Sequence, residues 1–271
     1  MYFDVKGTQV FATTGGKPFD PAQPVVVFLH GAGGDHTVWN LQSRFFAFRG
    51  YSVLAPDLPG HTNSEGAPLV SIEAMADWLN GVFEALDCRD VSLVAHSMGC
   101  LVALELGSRC PDRLRSLSLI ASGLATPVND ALLSAARDKP EAAIAMMTSW
   151  GYGAAGHYSR GPVPGNAMIA GGQMVMRGNS PEALHADLTA CNDYANGKQA
   201  APQVKAPVQV IVAGKDRMAP KKATDELAAH LPNASVAVIA DSGHMVPQEA
   251  PNRCRQLLRD FIFQNNPAGQ T

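Results

Sequence analysis

The sequence predicts an α/β fold, with helices packed against a mostly parallel sheet. Several short runs rich in Val, Ile and Leu are apolar on both faces, as expected of buried parallel strands. Segments of helical period and length separate these runs, and such an alternation is typical of a covered parallel sheet. The 271 residues suffice for one large domain of this class, or for one domain with an insertion.

Each element is predicted from its own local pattern. Residues 8–13 precede the first buried run, beside a turn rich in Gly and Pro, and are expected to pair with the first residues as an antiparallel edge hairpin. The predicted buried strands are residues 25–29, 51–55, 91–95, 117–121, 208–213 and 236–240. The predicted helices that accompany them are residues 39–49, 71–86, 98–109, 221–230 and 247–264.

The alternation is interrupted once, between about residues 123 and 204, where no buried strand is predicted. The predicted helices of this stretch are residues 129–137, 141–150, 166–177 and 181–192, with a Gly-rich segment at 151–165. We therefore predict a core domain formed by residues 1–123 and 204–271. Residues 124–203 are predicted to form a mostly helical cap, or lid, over the C-terminal edge of the sheet.

Composition and charge exclude several classes of function. The chain has 21 Lys and Arg against 24 Asp and Glu, and this net charge of −3 is too near neutrality to indicate a nucleic acid as partner. Hydrophobic residues make up 46% and charged residues 17%, which argues against disorder. No apolar run reaches the roughly 18 residues that would span a bilayer, so no membrane span is expected.

Cysteine usage and the first residues indicate a compartment. The five cysteines are scattered, odd in number and never in a CxxC pair, so we expect reduced thiols rather than a disulfide framework or a zinc site. The chain begins without the basic flank and apolar stretch of a secretory signal. A cytoplasmic location is therefore expected, and the oligomeric state stays open between a monomer and a homodimer.

The most informative stretch is residues 91–100, where a predicted strand runs into a predicted helix with Ser97 at the junction. Ala95 and Gly99 stand two positions before and after this serine. A nucleophile elbow requires this pattern, because its serine sits on a strained turn and only small residues at those positions let strand and helix pass closely. We therefore predict that Ser97 is a nucleophile.

With this elbow, the chain resembles the α/β-hydrolases over nearly its whole length. Ala95 stands where the first Gly of the family's G-x-S-x-G pattern is usual. GKDR at residues 214–217 resembles the family's acid turn, and SGHM at residues 242–245 resembles its histidine loop. The resemblance implies the α/β-hydrolase fold, with Asp216 as the acid and His244 as the base.

Two further segments are similar to structural turns of the family. DLPGHTNS at residues 57–64 resembles its D-x-x-G-x-G-x-S segment, with Thr62 where a second Gly is usual. Glu249 and Pro251 match the opening of the family's final helix, where a carboxylate in the first turn suits the helix dipole. Both segments are interpreted as architecture.

The three predicted catalytic residues have complementary chemical roles. A hydroxyl is nearly non-nucleophilic until an imidazole removes its proton during attack, and His244 would do this for Ser97. Asp216 would accept a hydrogen bond from the other ring nitrogen, and would thereby fix the tautomer and stabilise the imidazolium.

Attack on a carbonyl also requires N–H donors for the developing oxyanion. Met98 is expected to supply one backbone N–H, since it starts the helix after the nucleophile, where the dipole favours negative charge. By similarity, Ala32 in the Gly-rich segment after the first central strand is expected to supply the other. His30 in that segment, His61 and His96 are interpreted as structural, and the His96 side chain is expected to point away from the nucleophile's pocket.

The choice among reactions rests on the site rather than on the fold. Ser rather than Asp at position 97 disfavours haloalkane dehalogenases and epoxide hydrolases. The main hypothesis is a serine hydrolase of the carboxylesterase type, in which Ser97 forms an acyl-enzyme that water releases; lactones would follow the same route. This chemistry requires no metal or organic cofactor, and no ligand cluster in the sequence suggests one.

Three alternatives stay open. The chain also resembles hydrolases that cleave carbon–carbon bonds of ring-opened aromatics, although Met245 stands where Trp is common, and Arg160 or Arg177 would then bind a substrate carboxylate. A perhydrolase or haloperoxidase-like enzyme is the second alternative. A non-catalytic binding module is disfavoured, because such relatives usually lose a triad member and all three types are present here.

The expected partner is a small-molecule ester of small to medium size with apolar groups. Candidates for lining its pocket are Met146, Met147, Trp150, Met168, Met174 and Met176 in the weakly charged cap, together with Met245. At helical spacing methionine also fills cores, so core packing stays the alternative interpretation of the cap methionines.

Overall fold

An eight-stranded sheet organises the computed structural model, which describes residues 1–157, 162, 163, 165 and 167–266. The strands are β1 (Tyr2–Val5), β2 (Thr8–Thr13), β3 (Val25–Leu29), β4 (Ser52–Pro56), β5 (Val91–His96), β6 (Leu114–Ile120), β7 (Val208–Ala213) and β8 (Ala234–Ile239). Their order is β1-β2-β4-β3-β5-β6-β7-β8. Strands β3 to β8 pair in parallel, whereas β2 is antiparallel to both β1 and β4, as the predicted edge hairpin requires.

Helices connect the parallel strands and flank the sheet. Those of the described residues are α1 (Asn40–Ala47), α2 (Ile72–Ala85), α3 (Met98–Arg109), α4 (Asp130–Asp138), α5 (Pro140–Gly151), α6 (Ala154–His157), α7 (Met168–Gly178), α8 (Ala183–Asp193), α9 (Gly197–Ala200), α10 (Lys221–His230), α11 (Val246–Glu249) and α12 (Pro251–Asn265). The predicted α/β-hydrolase fold is confirmed, and the ends of individual elements differ from the prediction by a few residues.

Alternate residues of the central strands enter two hydrophobic cores. In β3, Val27 and Leu29 belong to one cluster, whereas Val26 and Phe28 belong to the other. Successive side chains of a strand point to opposite faces of the sheet, so a strand that is apolar throughout packs against helices on both sides.

Polar side chains determine where two of the helices begin. Ser71 accepts the Ala74 N–H at 3.1 Å ahead of α2, and Asn129 accepts the Leu132 N–H at 2.8 Å ahead of α4. Each cap satisfies a backbone donor that has no partner within its own helix.

Strand β8 lies at the edge of the sheet, although its sequence predicted a buried strand. Val236 is 51% exposed and Val238 is 47% exposed. The reason is that β8 is the last strand in the order and pairs with β7 along its inner side. An apolar run indicated the strand correctly but not its position in the sheet.

The predicted final helix of residues 247–264 is divided at Ala250. This residue has φ −130° and ψ 52°, outside the helical region, because the proline that follows disfavours that region for its predecessor. Glu249 therefore ends α11 and does not lie in the first turn of α12.

Helices α4 to α9 occupy the stretch between β6 and β7, which we call the cap segment (residues 124–203). Its own hydrophobic cluster consists of Leu132, Ala136, Ala143, Ile144, Met147, Leu184 and Leu188. The division into a core domain of residues 1–123 and 204–271 and a cap domain of residues 124–203 stays a prediction. Part of the predicted Gly-rich linker, residues 158–161 and 164, lies outside the described residues. No helix in the described part of the chain is both long and apolar enough to cross a membrane.

Replacing Gly99 with Ala is expected to destabilise the fold. A Cβ at this position would lie 2.7 Å from the carbonyl oxygen of His30 and 2.9 Å from that of Leu29, so α3 would have to move away from β3. We expect the free energy of unfolding in urea to fall by about 1–3 kcal/mol.

Gly171 in α7 is the matched control, because a Cβ added there would meet no described atom within 4 Å beyond its chain neighbours and the backbone of its own helix. Alanine at this exposed position is expected to raise the free energy of unfolding by about 0.5–1 kcal/mol. A Gly99→Ala protein as stable as the Gly171→Ala protein would contradict the close approach of α3 to β3.

Candidate active site

Ser97 lies on a strained turn between the end of β5 and the start of α3. Its backbone has φ 54° and ψ −122°, a combination that residues with a Cβ rarely adopt. The Ser97 N–H donates to the Ile120 carbonyl of the neighbouring strand at 3.0 Å. A Cβ on Gly31 would lie 2.8 Å from the Ser97 Cβ. The turn therefore depends on small neighbours, as a nucleophile elbow does.

His244 joins Ser97 to Asp216. Its Nε2 lies 2.8 Å from Ser97 Oγ, and its Nδ1 lies 2.8 Å from Oδ2 of Asp216. Because the carboxylate accepts the Nδ1–H, the neutral ring keeps Nε2 free to accept the hydroxyl proton. The side chain of His244 is 6% exposed and that of Asp216 is 0% exposed. The structure thus brings together, beyond the ends of β5, β7 and β8, the three residues that the motifs indicated.

The Asp216 carboxylate is held in its charged form. Its Oδ1 accepts the backbone N–H groups of Met218 at 2.8 Å and Ala219 at 2.9 Å. Burial alone would raise the pKa of Asp216, but His244 and these two N–H groups favour the anion and hold the pKa below its ordinary value of 3.8.

The loop that carries His244 is held from two sides. Glu249 accepts the N–H groups of Gly243 and Met245, on either side of the histidine, each at 3.1 Å. The His244 N–H donates to the Gly151 carbonyl of the cap segment at 2.9 Å. The sequence assigned Glu249 to the dipole of the final helix; instead, its carboxylate turns back from the end of α11 and fixes the histidine loop.

The backbone N–H groups of Ala32 and Met98, the predicted oxyanion donors, have no acceptor among the described residues. Ala32 lines both cavities that open at Ser97, whereas Met98, the first residue of α3, is in neither described lining. The assignment of the two groups to an oxyanion stays a prediction.

Two other histidines support the site through hydrogen bonds to the backbone. His30 Nε2 accepts the Leu58 N–H at 3.1 Å, which ties the Gly-rich segment to the turn after β4. His96 Nε2 donates to the His244 carbonyl at 2.9 Å, and burial lowers the pKa of His96 to about 3, so the ring stays neutral.

The His96 ring lies beside the histidine of the site. Its centroid is 4.9 Å from that of His244 and 6.4 Å from that of Trp39, which belongs to the same hydrophobic cluster as Val94. His96 is among the residues that line the cavity at Ser97, and the predicted direction of its side chain stays a prediction.

Two cavities meet at Ser97 and His244. The first is mainly apolar, and its lining includes Val38, Met147, Val175, Met176, Met218 and Met245. The second has a more polar lining that includes Thr126, Asn129, Trp150, Cys191 and Arg217. The nucleophile therefore faces two separate spaces of different polarity.

The candidate pocket residues divide between the cavities and the cap interior. Met147, Trp150 and Met245 line one or both cavities, but the described linings do not include Met146 or Met168. Met146 packs against the cap cluster instead, because adjacent helical residues point about 100° apart and Met147 takes the cavity side. Met168 is buried, with 4% of its surface exposed.

Of the other cap methionines predicted to line a pocket, Met176 lines the first cavity, whereas Met174 is 72% exposed. Sequence reasoning missed Met218 as a lining residue and Arg217 as a charged group beside the site. Both had a usable signal, since they directly follow the acid Asp216. Arg177, a predicted carboxylate ligand, instead forms an ion pair with Glu141 at 2.8 Å on the exposed side of the cap segment. Arg160 lies outside the described residues.

Known proteins resemble this chain along most of its length. A family model described as the alpha/beta hydrolase family matches residues 26–257. The chain is 30% identical over 260 residues to the pimeloyl-[acyl-carrier protein] methyl ester esterase of Neisseria meningitidis, and the match covers 91% of this chain and 96% of that protein.

Two further similarities concern a longer protein and a solved structure. Protein ABHD8 of Bos taurus is 27% identical over 264 residues, which cover 89% of this chain and 56% of that protein, so the chain spans little more than half its length. The crystal structure of the enol-lactonase from Burkholderia xenovorans LB400 has a TM-score of 0.86 at 22% identity, covering 97% of this chain and 99% of that one. At this identity the likeness shows the fold alone.

Replacing Asp216 with Asn is expected to slow covalent labelling of Ser97 by a fluorophosphonate about 10⁴-fold. An amide that donates toward Nδ1 would favour the wrong tautomer and remove the charge that stabilises the imidazolium. Asp241→Asn is the matched control, because Asp241 is an exposed carboxylate near the same loop, paired with Lys215 Nζ at 2.8 Å. If the labelling rate of Asp216→Asn falls by less than tenfold, another group serves as the acid.

Proposed function

This chain belongs to the alpha/beta hydrolase family, and we propose that it is a serine hydrolase of the carboxylesterase type that cleaves esters, with lactones as a related substrate class. The observation that carries the proposal is the pair of 2.8 Å contacts from His244 to Ser97 Oγ and to Asp216 Oδ2. This arrangement gives the hydroxyl a general base within reach and gives that base a fixed tautomer.

Acylation begins when Ser97 Oγ attacks the carbonyl carbon of the ester while His244 Nε2 takes the hydroxyl proton. The carbonyl oxygen becomes an oxyanion that accepts the N–H groups of Ala32 and Met98. One such donor is typically worth about 3–4 kcal/mol of barrier. When the tetrahedral intermediate collapses, the bond to the alcohol oxygen breaks and His244 returns the proton to the leaving alcohol.

Deacylation repeats these roles with water as the nucleophile. His244 removes a proton from the water, whose oxygen attacks the acyl carbon, and the same two N–H groups hold the second oxyanion. The bond to Ser97 Oγ then breaks, the serine recovers its proton from His244, and the carboxylic acid leaves. In a lactone the alcohol and the acid belong to one molecule, so one product forms.

The two cavities support a substrate with arms of different polarity. An ester carbonyl at Ser97 has an acyl arm and an alcohol arm, and the methionine-rich cavity suits an apolar arm whose shape it can adapt to. The cavity lined by Asn129 and Arg217 suits a polar or anionic arm. Ester and lactone bonds are also the bonds named in two similar proteins, the methyl ester esterase of Neisseria meningitidis and the enol-lactonase of Burkholderia xenovorans LB400.

Ester cleavage is favoured over carbon–carbon bond cleavage by the cap segment. Arg177, a candidate ligand for the carboxylate of a ring-opened substrate, is engaged by Glu141 away from the cavities. Met245 occupies the position after the histidine where an aromatic residue was expected for such enzymes.

The decisive experiment is a substrate panel with the Ser97→Ala variant. The panel contains p-nitrophenyl esters of short and long acyl chains, matched esters with and without a terminal carboxylate, lactones and a ring-fission diketone. We expect the wild type to turn over esters, and Ser97→Ala to lose at least about 10⁴-fold in kcat.

Ser108→Ala provides the matched control, since Ser108 lies in the same helix and bonds to the Glu105 carbonyl at 2.8 Å, away from the site. This variant is expected to retain the wild-type rate. Wild-type turnover of the diketone in preference to every ester, or equal ester turnover by Ser97→Ala, would overturn the proposal.

A further inference from the structure

The backbone of Gly33, the residue after the predicted oxyanion donor Ala32, is held by two residues of the cap segment. The Gly33 N–H donates to Oδ2 of Asp187 in α8 at 2.8 Å. The Gly33 carbonyl accepts from Nδ2 of Asn179, just after α7, at 3.0 Å. Both ends of this residue are therefore fixed by side chains more than 140 positions away in the sequence.

The same glycine has a backbone conformation that few residues adopt, and α7 and α8 leave no room for a side chain there. Gly33 has φ +64°, and an added Cβ would lie 3.0 Å from Leu184 Cδ1 and 3.3 Å from Met176 Cγ. Leu184 lies one helical turn before Asp187 in α8, so one face of this helix contacts the oxyanion segment through both an apolar and a charged group.

The Asp187 carboxylate requires a positive charge nearby, because it is fully buried. His61 Nε2 lies 2.9 Å from Asp187 Oδ2, and His61 Nδ1 lies 3.1 Å from the Pro59 carbonyl. Both ring nitrogens thus face acceptors, an arrangement that only the imidazolium satisfies with two donors. Burial alone would lower the pKa of His61, but Asp187 raises it above the ordinary value and favours the cation.

We propose that Asp187 is a positioning residue for the oxyanion hole, and that its carboxylate, balanced by His61, fixes the Gly33 peptide so that the preceding Ala32 N–H stays beside Ser97. This inference rests on the proposed function, since it assigns Ala32 to the oxyanion. Asp187 touches neither the nucleophile nor the base, and it acts through the peptide that it holds. Its second oxygen, Oδ1, has no partner among the described residues, so the contacts to Gly33 and His61 account for the polar bonding of this side chain.

A residue that positions an oxyanion donor has a kinetic effect that a purely structural contact does not have. An oxyanion donor acts more strongly in the transition state than on the bound ester. Displacing it should therefore lower kcat and leave KM nearly unchanged. A shift of about 1 Å in such a group costs up to about 100-fold in rate.

The test compares Asp187→Leu, which lacks an acceptor, with Asp187→Asn, which keeps an amide oxygen for the Gly33 N–H. For Asp187→Leu we expect kcat on a p-nitrophenyl ester to fall about 10- to 100-fold with KM within about threefold. Affinity for a trifluoromethyl ketone, which forms a tetrahedral adduct with serine, should fall by the same factor. Asp187→Asn should recover most of both losses.

Tyr194→Phe is the matched control. It removes a different buried bond between the cap segment and the core, from the Tyr194 hydroxyl to Glu105 Oε2 at 3.0 Å, and leaves the oxyanion segment untouched. We expect it to lower the unfolding temperature without changing kcat or ketone affinity. If Asp187→Leu behaves like Tyr194→Phe, with reduced stability and unchanged kinetics, Asp187 is a structural residue and the inference is wrong.

Hydrogen exchange of the Gly33 amide separates this inference from the proposed function. The amide should be protected in the wild type and exchange faster in Asp187→Leu than in Tyr194→Phe. If the wild type hydrolyses no ester, the proposed function fails, but this measurement still shows whether Asp187 holds the Gly33 N–H. Equal exchange of the Gly33 amide in the two variants would show that Asp187 does not hold it, whether or not the protein is active.

Discussion

The proposed chemistry depends on the two hydrogen bonds of the His244 ring. A single imidazole contacts a hydroxyl on one side and a buried carboxylate on the other, each at 2.8 Å. The parallel sheet makes this possible, because β5, β7 and β8 all end at the same edge and their following turns meet there. The segments between these strands return the chain to the opposite edge of the sheet, so each strand ends on the same side and His244 can contact both Ser97 and Asp216.

Much of the fold and the central site could be predicted because their signals are local. Ser97 stands in a strand-to-helix junction with small residues at two defined positions, and Asp216 and His244 each follow a strand in a short motif. Each signal spans only a few residues, so it can be read before any long-range contact is known. The resemblance of these motifs to those of one family supplied their chain order.

The features that the sequence did not predict depend on contacts between distant segments. The apolar run of β8 gives no indication that the strand is an edge, because that depends on the order of strands in the sheet. Glu249 matches a helix start, and its actual partners follow from the break before Pro251. Asp187 lies in a helix with no motif around it, and its contacts with Gly33 and His61 exist only once α8 packs against these two distant segments.

The contact between the Gly151 carbonyl and the His244 N–H links the end of α5 to the loop that holds the imidazole. Met147 and Gly151 of α5 also line the methionine-rich cavity. The position of α5 therefore sets both the shape of that cavity and the length of one hydrogen bond that holds the histidine loop. A substitution that displaced this helix would alter the fit of the substrate and the placement of the imidazole together.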